Sequence, residues 1–258
     1  MSARGRYVWF DLMTSDVEAA KAFYTETIGW KTQEWGGPTP YTMWNVKGDV
    51  GVGGVMELPA EVKQMGAPPH WMGYVAVDDV DATAKKAKEL GGQVHKAGMD
   101  IPEVGRFAVL ADPQGAAFAV FKSKQSDWKQ ADRQTPGAFS WHELNTTDYE
   151  SAWKFYSALF GWEPTTSMDM GEGMGKYFMF KPAGDENSFG GMSNVAKTMK
   201  MPPHWLHYVT VENAADATKR ITQKGGKLLN GPMDVPGGGK IAQFQDPQGA
   251  AFAIYAEK

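Results

Sequence analysis

The sequence predicts an α+β protein that consists of four βαβββ modules, formed by tandem duplication of a paired βαβββ domain. Three observations lead to this prediction. One half of the chain repeats the other, each half shows the order strand, helix, three strands twice, and turn-forming residues separate the last two strands of each half.

The repeat is visible in motifs that recur in the same order. Trp9–Asp16 recurs as Trp141–Asp148 at an offset of 132 residues, and Gly29-Trp30 recurs as Gly161-Trp162 at the same offset. A second group recurs at an offset of 134 residues. Pro69-His70-Trp71 recurs as Pro203-His204-Trp205, and Asp112-Pro113-Gln114-Gly115 recurs as Asp246-Pro247-Gln248-Gly249. Because the offset changes by so little, we expect both halves to share one fold.

The repeat also sets the expected domain boundaries. We expect a first domain over 1–124, a polar linker over 125–136 and a second domain over 137–258. The sequence leaves open whether modules pair within each half or across the two halves.

The local pattern of the first half illustrates the module. Val8–Met13 alternates as a strand does, Asp16 is placed to cap a helix, and Gly29 is placed to end it. Asp112-Pro113-Gln114-Gly115 has the residues of a tight turn between two strands. The further expected elements are strands at Tyr41–Val46, Val50–Leu58, Trp71–Val77, Arg106–Leu110 and Ala116–Phe121, with a helix at Asp79–Leu90.

Composition limits the classes of partner. The net charge is −4, with 26 basic and 30 acidic residues spread along the chain, so no basic stripe is available for nucleic acid. The sequence has no long apolar run, which predicts no membrane partner and a cytoplasmic location. No cysteine is present, so a metal would need histidine and carboxylate ligands. Four modules can satisfy their own pairing, so we expect a monomer or a homodimer.

In order and spacing, these motifs resemble the vicinal oxygen chelate superfamily, which includes glyoxalase, bleomycin resistance protein and extradiol dioxygenase. The resemblance implies curved mixed sheets that enclose clefts, with helices outside. It also implies where a metal would bind, on the first, fifth and last strands. Those positions carry residues that are poor ligands for a divalent metal: Trp9, Met72 and Ala119 in the first half, Trp141, Leu206 and Ala253 in the second.

A fourth ligand position implied by the resemblance falls near Glu57 in the first half and Asn194 in the second. We therefore expect no metal cofactor. The alternative is a divalent metal (Mn, Fe, Ni or Zn) held by displaced ligands, because Asp11 and His70, or Glu143 and His204, share a strand face with the usual positions.

Strand alternation assigns a set of ligand-binding residues to the cleft face. They are Trp9, Asp11, His70, Met72, Tyr74 and Phe121 in the first half, and Trp141, Glu143, Asn145, His204, Leu206, Tyr208 and Tyr255 in the second. Aromatic and small residues of this kind suit a flat or apolar ligand, whereas the tryptophans could equally fill the core.

Each carboxylate and imidazole pair has two interpretations. The pairs could be structural hydrogen bonds between the first and fifth strands, or Glu143 and His204 could act as catalytic acid and base. Three functions stay open: a protein that binds a small apolar or aromatic molecule without a metal, an enzyme (a glyoxalase-like lyase or isomerase, or a dioxygenase-like oxidoreductase), and a non-catalytic interaction module.

Overall fold

The architecture was obtained as a computed structural model, which describes residues 3–37, 39–125, 129–171 and 174–257. The expected linker over 125–136 lies in part outside the described residues. Within the described ranges the predicted order of strand, helix and three strands is confirmed in each module.

The first half contains two modules joined by a short helix that the sequence pattern did not predict. Its elements are β1 (Tyr7–Thr14), α1 (Val17–Thr27), β2 (Lys31–Glu34), β3 (Thr42–Val46), β4 (Val50–Glu57), the short α2 (Ala60–Gln64), β5 (His70–Ala76), α3 (Val80–Glu89), β6 (Gln93–Ile101), β7 (Gly105–Ala111) and β8 (Ala117–Ser123).

The second half repeats this series, including a short helix between its two modules. Its elements are β9 (Phe139–Asn145), α4 (Tyr149–Phe160), β10 (Glu163–Asp169), β11 (Lys176–Lys181), β12 (Gly190–Ser193), the short α5 (Val195–Met199), β13 (His204–Thr210), α6 (Ala214–Gln223), β14 (Lys227–Asp234), β15 (Lys240–Gln245) and β16 (Ala251–Ala256).

The helix of each module begins at a short polar residue. The Asp16 and Asp79 side chains accept hydrogen bonds from backbone N–H groups of the first turns of α1 and α3, and Asp148 and Asn213 do the same for α4 and α6. Helix α4 ends at Gly161, whose φ of 74° lies in the left-handed region that glycine adopts without strain. A short polar side chain therefore caps the start of each of these four helices.

Each half forms an open, mixed sheet of eight strands. The strand orders are β2-β3-β4-β1-β5-β8-β7-β6 and β10-β11-β12-β9-β13-β16-β15-β14. The predicted hairpins at the two Asp-Pro-Gln-Gly turns are confirmed, since β7 runs antiparallel to β8 and β15 to β16.

The compact units of the protein do not coincide with the two halves of the sequence. The described residues of Met1–Val8, Gly73–Trp128 and Trp141–Leu206 form one compact unit, called unit 1 below. Those of Trp9–Met72, Lys129–Ser140 and His207–Lys258 form unit 2. Each unit therefore contains one module from the first half and one from the second.

The core of unit 1 contains a buried chain of three polar side chains. Asp112, the aspartate of the turn before β8, accepts hydrogen bonds from the N–H groups of Gln114 (2.8 Å) and Ala116 (3.0 Å). The Tyr156 hydroxyl of α4 donates to its other oxygen at 3.2 Å. The Trp205 Nε1–H donates to the Tyr156 oxygen at 3.0 Å, which completes a Trp–Tyr–Asp relay.

Unit 2 contains the same relay built from the equivalent residues. The Tyr24 hydroxyl donates to Asp246 at 3.0 Å, and the Trp71 Nε1–H donates to the Tyr24 oxygen at 3.1 Å. Burial raises the pKa of Asp246 and Asp112, and the hydrogen bonds oppose that shift because they favour the carboxylate. The Phe-Tyr motif, which is Phe23-Tyr24 in the first half and Phe155-Tyr156 in the second, therefore belongs to the core of each unit.

The Gly-Trp motifs anchor the helix ends. Trp162 donates from Nε1 to the Gly5 carbonyl at 2.7 Å in unit 1, and Trp30 donates to the Gly137 carbonyl at 2.7 Å in unit 2. Both indole rings are buried. Each motif therefore combines a glycine at the end of a helix with a tryptophan that anchors the chain that follows. Within the described ranges, no helix has the length and apolar character needed to cross a bilayer.

We expect Tyr156→Phe to lower the free energy of unfolding by about 1–3 kcal/mol, because it leaves the buried Asp112 oxygen and the Trp205 N–H without their hydroxyl partner. Urea unfolding followed by circular dichroism measures the change. Tyr149→Phe is the matched control, since it removes a hydroxyl from the same helix at an exposed contact with Glu150. Equal stability of the two variants would contradict the role of the relay.

Candidate binding site: two tryptophan–tyrosine–carboxylate clusters

The first-strand tryptophan of each half belongs to a hydrogen-bonded cluster. In unit 2 the Trp9 Nε1–H lies 2.6 Å from the Tyr41 hydroxyl oxygen and 3.0 Å from Asp11 Oδ1. The Tyr41 hydroxyl donates to the same Asp11 oxygen at 2.5 Å. We call these three residues the Trp9 cluster. Its carboxylate is buried, whereas its two rings are half-buried.

The equivalent cluster of unit 1 is built in the same way. The Trp141 Nε1–H donates to the Tyr177 hydroxyl oxygen at 2.8 Å, and this hydroxyl donates to Glu143 Oε2 at 3.1 Å. We call these residues the Trp141 cluster. Each cluster fixes an indole ring and a phenol ring beside a carboxylate, and the indole belongs to the first-strand position where the superfamily resemblance implied a metal ligand.

The paired glycines of β4 and β12 make room for these clusters. A Cβ on Gly54 would lie 2.2 Å from the Tyr41 ring, and a Cβ on Gly191 would lie 2.2 Å from the Tyr177 ring. The preceding Gly53 passes the neighbouring strand so closely that its Cβ would lie 2.0 Å from the Phe10 carbonyl oxygen. The glycine pairs are therefore positions where a neighbouring strand or ring comes very close to the backbone.

Tyr41 and Tyr177 were not among the ligand-binding residues predicted from the sequence. A signal was present, because a glycine inside a strand often lies beneath an aromatic ring of a neighbouring strand. Tyr41 directly precedes β3 and Tyr177 is the second residue of β11, and each of these strands pairs with the glycine-containing strand. The glycine pair could therefore have directed attention to an aromatic residue at the start of the third strand of each half.

The backbone two residues before each histidine holds the imidazole ring in one orientation. His70 Nδ1 lies 2.8 Å from the Pro68 carbonyl oxygen, and His204 Nδ1 lies 2.9 Å from the Pro202 carbonyl oxygen. A carbonyl only accepts, so each Nδ1 carries the proton and each neutral ring keeps an unprotonated Nε2. Burial lowers the pKa of His70, which favours this neutral form.

The histidines do not pair with the carboxylates in the way one interpretation of the sequence suggested. Among the described residues, the hydrogen bond of His70 goes to Pro68 and those of His204 go to Pro202 and Asn145. His204 Nε2 lies 3.5 Å from the Asn145 side-chain nitrogen. The structure thus places Asn145, and not Glu143, beside the basic nitrogen of His204.

The other predicted lining residues are divided between the units. Met72 in unit 2 and Leu206 in unit 1 are buried. The remaining residues are aromatic: Tyr74 and Phe121 in unit 1, and Tyr208 and Tyr255 in unit 2. The ring centroids of Tyr74 and Phe107 are 6.1 Å apart, and the Gln243 side-chain N–H donates to the Tyr208 oxygen at 2.8 Å. Their part in ligand binding stays a prediction.

The residues present do not fit a divalent metal at the positions implied by the superfamily. Glu57 pairs with Thr14 in the β1–β4 ladder, one residue out of phase with Met13, so it lies on the face opposite Trp9 and Asp11. Asn194 Oδ1 accepts from the Tyr149 N–H at the start of α4. Across the part of the chain that the structure describes, no three His, Asp or Glu side chains are grouped as a metal would need.

Comparison with known proteins identifies the family. The model of the Glyoxalase/Bleomycin resistance protein/Dioxygenase superfamily matches the chain twice, at residues 6–120 and 138–254. The chain is 34% identical to a Mycobacterium tuberculosis protein named "Putative glyoxylase CFP32" over 249 residues, 95% of this chain and 92% of the relative. It is 32% identical to the Streptomyces peucetius "Anthracycline biosynthesis protein DnrV" over 275 residues, 98% and 93% of the two chains.

Solved structures agree on the fold. The Mn(II)-bound glyoxalase from Novosphingobium aromaticivorans matches with a TM-score of 0.68 at 17% identity, over 99% of this chain and 82% of that one. The 2,3-dioxygenase LapB from Pseudomonas sp. KL28 matches with a TM-score of 0.67 at 12% identity, over 99% and 93%. At these identities the likeness establishes the fold alone.

We expect Gly191→Ala to destabilise the protein by about 1–3 kcal/mol, because the added methyl group overlaps the Tyr177 ring. In a Tyr177→Ala background, where the ring is gone, the same change is expected to cost much less. Urea unfolding of the four proteins in this double-mutant cycle measures the coupling. A coupling energy near zero would show that the ring does not lie over the glycine.

We expect the pKa of the His70 imidazole to lie below its ordinary value of 6.5, because burial disfavours the charged form. The folded pKa lies below the unfolded one, so the unfolded state takes up the proton first as the pH falls. Stability is therefore lost as the pH falls from 6.5 through the folded pKa. NMR titration, with His70→Gln to assign the resonance, measures the midpoint; a value at or above 6.5 would contradict the prediction.

Proposed function

The chain belongs to the Glyoxalase/Bleomycin resistance protein/Dioxygenase superfamily, and on that premise we propose that it binds a small apolar or planar aromatic molecule at the Trp9 and Trp141 clusters without a metal. The duplicated cluster is the observation that carries the proposal. An indole and a phenol ring, each half-buried, are fixed by hydrogen bonds in each half, and the indole belongs to the first-strand position where the resemblance implies a metal ligand.

The physical case is one of preorganisation. Aromatic faces offer a large contact area with few rotatable bonds. In each cluster the indole N–H already donates to the phenol oxygen, and the phenol hydroxyl already donates to the carboxylate. The rings therefore need no reordering when a flat molecule stacks on them. Two relatives carry names compatible with small-molecule chemistry, one as a glyoxylase and one in anthracycline biosynthesis. Anthracyclines contain a planar anthraquinone, which makes an anthraquinone a suitable probe.

An acid–base enzyme is a second candidate, and one observation favours it. The anchored Nδ1 of His204 leaves Nε2 as the basic nitrogen, which is the arrangement a general base requires. In this candidate Glu143, held by Tyr177, supplies the negative charge that would stabilise a developing cation. A lyase or isomerase that moves a proton on a bound substrate would use these groups.

We expect 9,10-anthraquinone-2-sulfonate to bind saturably at two sites per chain, as measured by isothermal titration calorimetry. Trp141→Leu is expected to weaken one of these sites about tenfold, because it removes an aromatic face and keeps apolar volume. Trp9→Leu is expected to weaken the other. Trp153→Leu is the matched control, since Trp153 packs on Phe178 from α4 and belongs to neither cluster.

Metal content separates this proposal from the metal-dependent alternative. Elemental analysis of the purified protein is expected to find far less than one Mn, Fe, Ni or Zn per chain, with probe binding unchanged after dialysis against a chelator. One metal or more per chain, lost in His204→Ala, would overturn the metal-free proposal. Absence of any saturable binding would instead favour an interaction module.

A further inference from the structure

The second half contains a polar group of side chains that the first half lacks. Asn145 ends β9 and pairs in register with Ser193, which ends β12. His204, the first residue of β13, faces Asn145 across 3.5 Å. All three residues belong to unit 1 and lie on the strand face that carries Trp141 and Glu143.

Two atoms of this group are buried without a hydrogen bond. Asn145 is 4% exposed and Ser193 is 1% exposed. Among the described residues of the protein, Asn145 Oδ1 and Ser193 Oγ have no hydrogen-bond partner. Buried polar atoms in native proteins are nearly always satisfied, so such a pair on neighbouring strands indicates a place where another molecule supplies the missing hydrogen bonds.

The histidine determines which atom of the amide is left over. The Pro202 carbonyl oxygen fixes the proton on His204 Nδ1, so Nε2 is an acceptor in the neutral ring. The amide group that faces Nε2 must then be the NH₂ of Asn145, and Oδ1 is directed away from the ring. The unsatisfied amide atom is therefore an acceptor, held in that role by His204.

The first half shows that the fold does not need polar groups here. The residues at the equivalent ladder positions are Met13 and Met56, which pair in register on β1 and β4. His70 keeps the same anchor as His204. The polar pair is thus an addition to one half and not a requirement of the strand arrangement.

Resting on the proposed function, we propose that Asn145 and Ser193, positioned by His204, form a subsite in the second half that binds a hydroxyl group of the ligand. Asn145 Oδ1 accepts a hydrogen bond from the ligand hydroxyl, and the Ser193 hydroxyl donates a hydrogen bond to the oxygen of that group. This recognition demands a donor and an acceptor on one ligand atom, which a phenolic or alcoholic hydroxyl supplies and a bare aromatic ring does not. In the first half the equivalent residues are Met13 and Met56, so the site at the Trp9 cluster does not select for a hydroxyl group.

The test compares two probes that differ only in hydroxyl groups: 9,10-anthraquinone-2-sulfonate and 1,2-dihydroxyanthraquinone-3-sulfonate, with chelator-dialysed protein in calorimetry. We expect one of the two sites to prefer the dihydroxy probe by about tenfold, the effect of one or two hydrogen bonds. In Asn145→Met/Ser193→Met, which copies the residues of the first half and so should fold, this preference is expected to vanish.

The reverse exchange is the second arm. Met13→Asn/Met56→Ser places the polar pair beside His70 and is expected to give the other site a preference for the dihydroxy probe. His204→Leu, which removes the acceptor that holds the Asn145 amide, is expected to reduce the preference for the dihydroxy probe in the second half.

The outcomes separate the two proposals. Equal affinities for both probes in the wild type, or a preference that survives Asn145→Met/Ser193→Met, would overturn the subsite and leave the proposed function in place. Failure of both probes to bind would overturn both. A high-resolution structure with the dihydroxy probe bound and only an ordered water on Asn145 Oδ1 and Ser193 Oγ would also overturn the subsite.

Discussion

The buried aspartate of each Asp-Pro-Gln-Gly turn is the constraint on which both compact units depend. A carboxylate taken out of water is costly unless several donors surround it. The turn supplies two backbone N–H groups, and the remaining donor is a tyrosine hydroxyl from a helix of the other repeat. Asp112 takes its hydroxyl from Tyr156, and Asp246 takes its hydroxyl from Tyr24. Neither repeat contains the whole relay of any one unit.

This arrangement gives the duplication a physical meaning. Three of the recurring motifs, Phe-Tyr, His-Trp and Asp-Pro-Gln-Gly, meet in the relay, where the tryptophan and tyrosine of one repeat satisfy the aspartate of the other. A single repeat would bury its aspartate without the hydroxyl, or would need the tyrosine of a second copy. Fusion of two copies into one chain supplies that tyrosine at high effective concentration. The recurring motifs are therefore first of all the residues of the core.

The sequence was sufficient to predict the modules, because caps, turns and alternation are local properties. Asp16, Asp148 and the two Asp-Pro-Gln-Gly turns act where the sequence places them. The grouping of modules into compact units was beyond it, since the Tyr156–Asp112 and Tyr24–Asp246 contacts join residues far apart in the chain and either pairing would satisfy the local pattern. The short helices α2 and α5 were also missed, because five residues carry little periodic signal.

The candidate site was likewise predictable from local sequence features and not from long-range ones. Strand alternation placed Trp9, Asp11, Trp141 and Glu143 on one face, and the clusters agree with that placement. Tyr41 and Tyr177 were missed because loops of different length precede them, so the repeat does not align them at either main offset. Glu57 was a wrong candidate for a ligand, since one residue of phase in the β1–β4 ladder moves its side chain to the opposite face.

The differences between the repeats say more about function than the similarities do. The relays, the clusters and the anchored histidines occur twice, so each is compatible with a purely structural explanation. Asn145 and Ser193 occur once, where the other repeat has Met13 and Met56. A buried polar atom without a partner costs about 1–3 kcal/mol, and the first half shows that apolar side chains fit the same ladder. Stability alone would favour the methionines in both halves. Asn145 Oδ1 and Ser193 Oγ have no hydrogen-bond partner among the described residues, which supports the proposal that a ligand hydroxyl binds at this pair in the second half.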